Sequence, residues 1–216
     1  MHDYQREFVA LALESGALKF GDFTLKSGRQ SPYFFNAGQL SSGRAAAALG
    51  RFYANVIHGH YSDYDVIFGP AYKGIPLAAL SAAALSDQHG VDVAYAFNRK
   101  EAKTHGEGGN VVGAALKGNV IIVDDVITAG TAIRESVQMI RAAGANVAGI
   151  VISLDRQEKG QGALSAVQEV EQATGVKVSA IATLQDLVTV LGQERALAAH
   201  LGDVQAYQAR YSISGS

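Results

Sequence analysis

The fold of this chain is decided by residues 120–132, which read VIIVDDVITAGTA. The four apolar residues at the start predict a strand that is buried on both faces of a sheet. The small and hydroxyl residues that follow predict a tight turn into a helix, with two carboxylates at the strand's end. Apolar strand patterns alternate with helical patterns elsewhere in the chain, which indicates crossovers between parallel strands. We therefore expect an α/β fold with a mostly parallel twisted sheet flanked by helices.

Outward from this stretch, apolar periodicity divides nearly the whole chain into elements. Strands are predicted at 66–68, 91–97, 120–123, 147–154 and 176–182, and helices at 3–15, 41–58, 75–88, 132–143, 163–173 and 184–191, with a last helix that ends near Tyr211. The extended pattern at 19–37 predicts a two-stranded hood, and the polar stretch 98–110 predicts a loop. We expect one domain over residues 1–211, with the hood mainly in 1–40, and a disordered tail at 212–216.

The composition excludes several classes of protein. The chain has 216 residues and no cysteine, so disulfides, thiolate catalysis and cysteine-ligated metal sites are excluded. Its formal net charge of -2 argues against a broad nucleic-acid footprint. No apolar run has the length of a membrane span, and the first fifteen residues do not resemble a signal peptide, so we expect a cytoplasmic enzyme without a membrane partner.

The turn after the predicted strand has the chemistry of a sugar-phosphate site. Small residues at 128–131 allow backbone N–H groups to converge on an anion at the start of a helix, where the helix dipole favours negative charge. Asp124 and Asp125 can accept hydrogen bonds from ribose hydroxyls. Alternatively, the two acids only cap the helix or pair with a lysine.

This segment resembles the signature of the type I phosphoribosyltransferases, which binds phosphoribosyl pyrophosphate (PRPP). The resemblance implies that PRPP contacts the whole turn: Asp124, Asp125, Val126, Ile127, Thr128, Ala129, Gly130, Thr131 and Ala132. The sequence pattern alone does not identify the sugar phosphate.

Further blocks narrow the resemblance to one family. The blocks are FTLKSGRQSPYFFNAG at 23–38, GPAYKGIPLA at 69–78, FNRKEAKTHGEGG at 97–109 and ISLDRQEKG at 152–160. Together they are similar to the orotate phosphoribosyltransferases of bacteria, over nearly the full chain. The resemblance implies transfer of ribose 5-phosphate from PRPP to orotate in pyrimidine biosynthesis. It also implies Mg²⁺ held mainly by PRPP rather than by a dedicated protein cage, and a homodimer.

The resemblance also assigns individual residues. PRPP contacts are implied for Lys26, Tyr72 and Lys73, and for four residues of a mobile loop at 99–109: Arg99, Lys100, Lys103 and His105. This loop is expected to reach the pyrophosphate leaving group, partly across the dimer into the neighbouring site. Orotate contacts are implied for Lys26, Phe34, Phe35, Thr128 and Arg156. The residues with an implied catalytic role are Lys26, Lys100, Lys103, His105, Asp124 and Asp125.

Less specific interpretations remain open for the same residues. Lys26 can be a solvated surface lysine, and Phe34 and Phe35 can be core aromatics. Arg156 can form a bidentate pair with the carboxylate of orotate, or a surface salt bridge with Asp155 or Glu158. Two functional alternatives also stay open: a purine phosphoribosyltransferase, and a PRPP-sensing regulator that binds DNA.

Overall fold

The computed structural model describes residues 1–25, 28–103, 109–160 and 162–213. Its central six-stranded sheet has the order β5-β4-β3-β6-β7-β8. The strands are β3 (Val66–Gly69), β4 (Ala94–Lys103), β5 (Gly109–Gly113), β6 (Asn119–Asp124), β7 (Asn146–Asp155) and β8 (Val178–Thr183). All neighbours pair in parallel except β5, which runs antiparallel to β4 at the edge. The predicted mostly parallel sheet is confirmed.

Helices cover both faces of this sheet. Alternate residues of a strand point to opposite faces, and in the central strands both sets are apolar, so each face needs a covering layer. On β6, Ile121 and Val123 belong to one core cluster, and Val120 and Ile122 belong to the other. The first cluster includes residues of α1 (Asp3–Glu14), α2 (Gly43–His60), α3 (Gly74–His89), α6 (Leu184–Gln193) and α7 (Leu201–Tyr211). The second includes residues of α4 (Thr131–Ala142) and α5 (Ala166–Thr174). None of the helices in the described ranges is long and apolar enough to cross a membrane.

The N-terminal residues form the predicted hood. The strands β1 (Leu18–Thr24) and β2 (Gln30–Phe35) pair antiparallel as a separate two-stranded sheet. The ring of Phe8 on α1 packs against Phe35 of β2 and Phe52 of α2, with centroids 6.1 and 5.8 Å apart. The hood is therefore joined to the main core rather than standing apart from it.

The prediction of a loop at 98–110 is wrong for residues 98–103 and 109–110, which belong to strands. Strand β4 continues to Lys103 and pairs with β5, with Asn98 opposite Val111 and Lys103 opposite Gly109. The polar composition of this stretch indicates exposure to solvent, but backbone hydrogen bonds between edge strands form without apolar side chains. Polarity alone therefore misled the secondary-structure assignment.

At the chain's end, two residues of the expected disordered tail have defined backbone contacts. Ser212 forms an isolated antiparallel bridge with Glu158, and the N–H of Ile213 donates to the carbonyl of Gln157 at 3.4 Å. Residues 214–216 lie outside the described part of the chain.

Candidate functional site

The candidate site lies at the carboxyl edge of the parallel sheet, where ligands bind in open α/β folds. Strands β3, β6 and β7 are consecutive neighbours in the sheet, so the turns that follow them are adjacent. These turns carry Tyr72 and Lys73 after β3, Asp125 to Gly130 after β6, and Arg156 after β7. The sheet thus brings together three blocks that are far apart in sequence.

Two carboxylates stand at the tip of β6. Asp125 is buried, with 6% of its surface exposed, and its Oδ2 forms an ion pair with Nζ of Lys73. The carboxylate of Asp124 accepts from the N–H of Asp125 at 2.9 Å, and that of Asp125 accepts from the N–H of Val126 at 2.9 Å. The alternative of a lysine pair therefore holds for Asp125, but its partner comes from the turn after β3, which lies within the candidate site.

Burial raises the pKa of Asp124 to about 6, and the neighbouring charge of Asp125 adds to this effect. The hydrogen bond from the N–H of Asp125 and the charge of Lys73 act in the opposite direction. A partly buried carboxyl with a raised pKa beside a second carboxylate is typical of a functional site rather than of a helix cap.

Buried hydroxyl groups donate hydrogen bonds to the backbone carbonyls of the two acids and hold them in place. The hydroxyl of Tyr53, on α2, donates to the carbonyl of Asp124 at 2.6 Å. The hydroxyl and the N–H of Ser153, on β7, donate to the carbonyl of Asp125 at 2.6 and 2.9 Å. Neither Tyr53 nor Ser153 is predicted as a site residue from the sequence. Their only sequence signal is a polar group inside an apolar pattern.

Most residues of the turn after the acids are exposed to solvent. Thr128, Ala129, Thr131 and Ala132 are exposed, and Gly130 has a φ of 69° directly before α4 begins. Arg134, in the first turns of α4, donates to the carbonyl of Ala129 at 2.6 Å and holds the turn against the helix. By contrast, the side chain of Ile127 is buried in the core, so only its backbone is available to a ligand.

A second cationic group faces the edge from β4. Nζ of Lys100 lies 4.9 Å from the ring centroid of Tyr72, whose ring is mostly exposed. The N–H of Ala71 donates to Oδ1 of Asn98 at 2.8 Å, which ties the turn after β3 to β4 beside Arg99. The sequence analysis did not single out Asn98.

Three predicted cations fall wholly or partly outside the description. Lys26 and His105 lie outside the described residues. Lys103 is placed only as the last backbone position of β4, and its side chain also lies outside.

Arg156 pairs with Glu158, and both side chains are largely shielded from solvent, with 14% and 13% of their surfaces exposed. Its Nε and Nη2 donate to Oε1 of Glu158 at 2.8 and 2.6 Å, and Nη2 donates to Oγ of Ser31 at 3.4 Å. Its guanidinium stands 4.4 Å from the ring centroid of Tyr33. Burial lowers the pKa of Arg156, but the charges of Tyr33 and Glu158 outweigh burial and raise it above its usual value. The predicted alternative of a salt bridge with Glu158 is therefore correct in its partner, but the pair does not lie on the exposed surface.

The two phenylalanines of β2 lie on opposite faces of the hood. The ring of Phe34 is 40% exposed and lies 5.6 Å from that of Phe23, whereas Phe35 is in the core beside Phe8. The two rings therefore do not form one continuous surface, because adjacent strand residues point in opposite directions. Contact with a planar base is open to the ring of Phe34 and to the backbone of both residues.

Among the described residues, no three His, Cys, Asp or Glu side chains are grouped so that they could hold a metal ion. Asp124 and Asp125 place hard carboxylate oxygens at this edge of the sheet. This donor set suits Mg²⁺ that brings most of its ligands on a phosphate substrate.

Comparison with known proteins places this geometry in context. A family model for the phosphoribosyl transferase domain matches residues 36–179. An orotate phosphoribosyltransferase of Photobacterium profundum is 58% identical over 213 residues, which cover 99% of this chain and all of that protein. The enzyme of the same name from Vibrio cholerae is 59% identical with the same coverage.

Solved structures show the same likeness. The crystal structure of orotate phosphoribosyltransferase from Francisella tularensis is 39% identical and superposes with a TM-score of 0.85, covering 96% of this chain and all of that one. The UMP synthase of Leishmania donovani is 26% identical with a TM-score of 0.75, over 94% of this chain and 41% of that longer protein.

Proposed function

The chain belongs to the orotate phosphoribosyltransferase family, and from this membership we propose the part that each site residue takes in its reaction. The reaction transfers ribose 5-phosphate from PRPP to orotate, giving orotidine 5-phosphate and pyrophosphate in the synthesis of UMP. A ring nitrogen of orotate displaces pyrophosphate at ribose C1. Positive charge develops on the sugar and negative charge on the leaving group, so catalysis requires charges placed against both.

The turn after β6 holds the phosphoribosyl group. The backbone N–H groups of residues 126–132 and the hydroxyls of the exposed Thr128 and Thr131 bind the 5-phosphate at the start of α4. Asp124 and Asp125 accept hydrogen bonds from the ribose hydroxyls and offset the positive charge on the sugar. This assignment is supported by the exposure of the turn and by the fixed carbonyls of both acids.

Cations around the turn after β3 receive the pyrophosphate. Tyr72 and Lys73 contact it from that turn, and Arg99 and Lys100 contact it from β4. Lys26, Lys103 and His105 complete the set by family resemblance. The support from the described residues is the contact of Lys100 with Tyr72 and of Lys73 with Asp125, which places two ammonium groups at this edge.

Orotate lies between the hood and the end of β7. Arg156 binds its carboxylate, Phe34 and the backbone at Phe35 border the ring, and Lys26 and Thr128 contact it from the PRPP side. The largely buried guanidinium favours a base that carries a carboxylate, because a neutral base would supply no negative charge to pair with it.

We further propose that Mg²⁺ enters with PRPP, with Asp124 and Asp125 as the nearest protein oxygens. Bound there, the ion neutralises charge on the leaving pyrophosphate. The protein's residues hold the leaving pyrophosphate and the attacking base on opposite sides of ribose C1.

The active unit that we propose is a cytoplasmic homodimer. The loop at 99–109 of one subunit contributes Lys103 and His105 to the neighbouring site. Support comes from the described arm of β4 and β5, because β4 extends from its last parallel pairing at Phe97 to Lys103, about 20 Å at some 3.3 Å per residue. An arm of that length can reach beyond its own subunit.

One observation carries the proposed roles. Lys73, Asp125 and Arg156 directly follow β3, β6 and β7, which are consecutive neighbours in the sheet, and Lys73 is paired with Asp125. The test follows orotate absorbance with PRPP and Mg²⁺, and repeats the assay with adenine, guanine and uracil. Loss of orotate that requires both PRPP and Mg²⁺ is expected. Turnover in excess chelator would contradict the metal's role, and preference for a purine base would contradict the base site.

A further inference from the structure

Several contacts from distant parts of the chain meet at one carboxylate, that of Glu158. Its Oε1 accepts from Nε of Arg156 at 2.8 Å and from the hydroxyls of Tyr207 and Tyr33 at 2.8 and 3.4 Å. Its Oε2 lies 3.6 Å from Nη1 of Arg29. These partners come from α7, from β2 and the residue directly before it, and from the segment after β7. A carboxylate shared by so many donors is fixed in place.

Glu158 also fixes the guanidinium of Arg156. That group touches Glu158 through Nε and Nη2, rests its face 4.4 Å from the ring centroid of Tyr33, and reaches Ser31 with Nη2 at 3.4 Å. Its plane and its direction are both determined by these contacts. An arginine that must meet a flat carboxylate with two parallel hydrogen bonds gains from such fixing, because less freedom is lost on binding.

Two cations share the negative charge of Glu158, the guanidiniums of Arg29 and Arg156. The carboxylate of Asp155 also lies near enough to interact with Glu158. A carboxylate on the base gives Arg156 an anion that it does not share with Arg29, whereas a neutral base does not.

The carboxylate is itself set by the last helix. Tyr207, on α7, is 5% exposed, and its ring meets that of Tyr33 edge to face with centroids 5.9 Å apart. The N–H of Lys159 donates to the carbonyl of Tyr211 at 2.9 Å, which ties the same segment to the end of α7. Displacement of α7 would thus move Glu158, and with it Arg156.

We propose that Glu158 is a positioning residue for base recognition: it aims Arg156 at the carboxylate of the base and is itself held by Tyr207 of the C-terminal helix. This inference rests on the proposed contact of Arg156 with orotate. It adds that the C-terminal helix, which contributes no predicted site residue, determines how well the base site selects orotate.

The test compares Glu158→Gln, Tyr207→Phe and a matched control, Tyr211→Phe, which makes the same change one turn further along α7. KM for orotate is measured at saturating PRPP, and KM for PRPP at saturating orotate. Glu158→Gln is expected to raise KM for orotate about tenfold and Tyr207→Phe about threefold, with KM for PRPP unchanged. The control should match the unmodified protein. Urea unfolding identifies any variant that does not fold.

A double variant separates positioning from general loosening of the hood. If Glu158 acts through Arg156, Glu158→Gln changes nothing further in an Arg156→Ala background. The proposal is overturned if Glu158→Gln leaves KM for orotate unchanged or lowers it, if both KM values rise together, or if the two substitutions are additive. If Arg156→Ala alone leaves KM for orotate unchanged, the proposed role of Arg156 itself fails, which is a distinct result.

Discussion

Lys73 and Asp125 form an ion pair that links the turn after β3 to the tip of β6. The two partners differ in exposure, since the lysine side chain is 57% exposed and that of the aspartate only 9%. A buried carboxylate therefore depends on a cation that solvent and ligands can also reach. In the proposed complex, pyrophosphate offers Lys73 a second anion, and the ribose hydroxyls offer Asp125 new donors.

Replacing Asp125 by Asn should weaken the use of PRPP about tenfold or more, because a hydrogen bond to a charged group contributes roughly 1.5–3 kcal/mol. The measurement is the rate at subsaturating PRPP, with Asp87→Asn, an exposed acid on α3, as the control. A rate equal to that of the unmodified protein would place the sugar site elsewhere.

Asp124 should reduce stability at neutral pH. Its folded pKa is about 6 against an ordinary 3.8, so the folded chain binds the extra proton between these values and loses stability as pH rises from about 4 to 6. Asp124→Asn removes this cost. The variant should be more stable than the unmodified protein at pH 7.5, by on the order of 1–3 kcal/mol, and nearly equal to it at about pH 3.5, below the unfolded pKa.

Urea unfolding of both proteins across this pH range measures the difference, and Asp87→Asn controls for the loss of an exposed charge. A difference between Asp124→Asn and the unmodified protein that does not grow with pH would contradict the raised pKa. Activity of Asp124→Asn should fall while stability rises, because the same carboxylate is proposed to serve the ribose.

Gly69 should not tolerate a side chain. It ends β3, and a Cβ there would collide with the backbone carbonyl of Gly74 at the start of α3, so the backbone of the turn carrying Lys73 would have to shift. Gly69→Ala should lower the free energy of unfolding by about 1–3 kcal/mol or more. Gly59→Ala, on α2, is the matched control, since a Cβ there meets nothing within 4 Å. Equal unfolding midpoints for the two variants would show that the close approach is not required.

Arg156→Ala should raise the orotate requirement far more than the PRPP requirement, since the proposed partner of the guanidinium is the carboxylate of the base. Initial rates with each substrate varied in turn give the two KM values. Equal effects on both substrates would reject this contact. The substitution also leaves Glu158 without its closest cationic partner, which should lower the free energy of unfolding. The assay temperature is therefore set from the unfolding curve of the variant.

Much of the fold could be predicted because strong apolar runs have few alternatives. VIIV at 120–123 lies within β6, with each residue buried, and the helix predicted from residue 41 begins at Gly43, directly after Ser42. The polar stretch after Phe97 was misassigned, because pairing of edge strands depends on backbone hydrogen bonds that the side-chain pattern does not show.

The parts of the candidate site that lie in one continuous stretch of sequence could be predicted. The contacts between residues far apart in the chain could not. Asp124 and Asp125 follow one another in a recognisable turn. The hydroxyls of Tyr53 and Tyr207 reach the site from α2 and α7, and nothing in their local sequence indicates their partners. Likewise, the burial of the Arg156 pair depends on the hood, which is far away in the chain.

The last prediction concerns the dimer. If Lys103 acts on pyrophosphate bound by the other subunit, two defective proteins can repair each other when their subunits are mixed. Lys103→Ala retains the sugar-binding acids, and Asp124→Asn/Asp125→Asn retains the arm of β4 and β5. A mixed dimer then has one site with both parts intact and one with both parts altered. Random reassociation makes about half of the dimers mixed, so activity should return to roughly a quarter of that of the unmodified protein.

Subunit exchange must first be confirmed with a tagged partner, because unmixed homodimers would remain inactive for a trivial reason. A mixture of Lys103→Ala with a tagged copy of itself is the matched control and should recover nothing. If exchange is complete and the mixed sample stays at the level of the separate variants, Lys103 acts within its own subunit. The arm of β4 and β5 would then serve the site of its own chain, and each subunit would hold a complete set of cations.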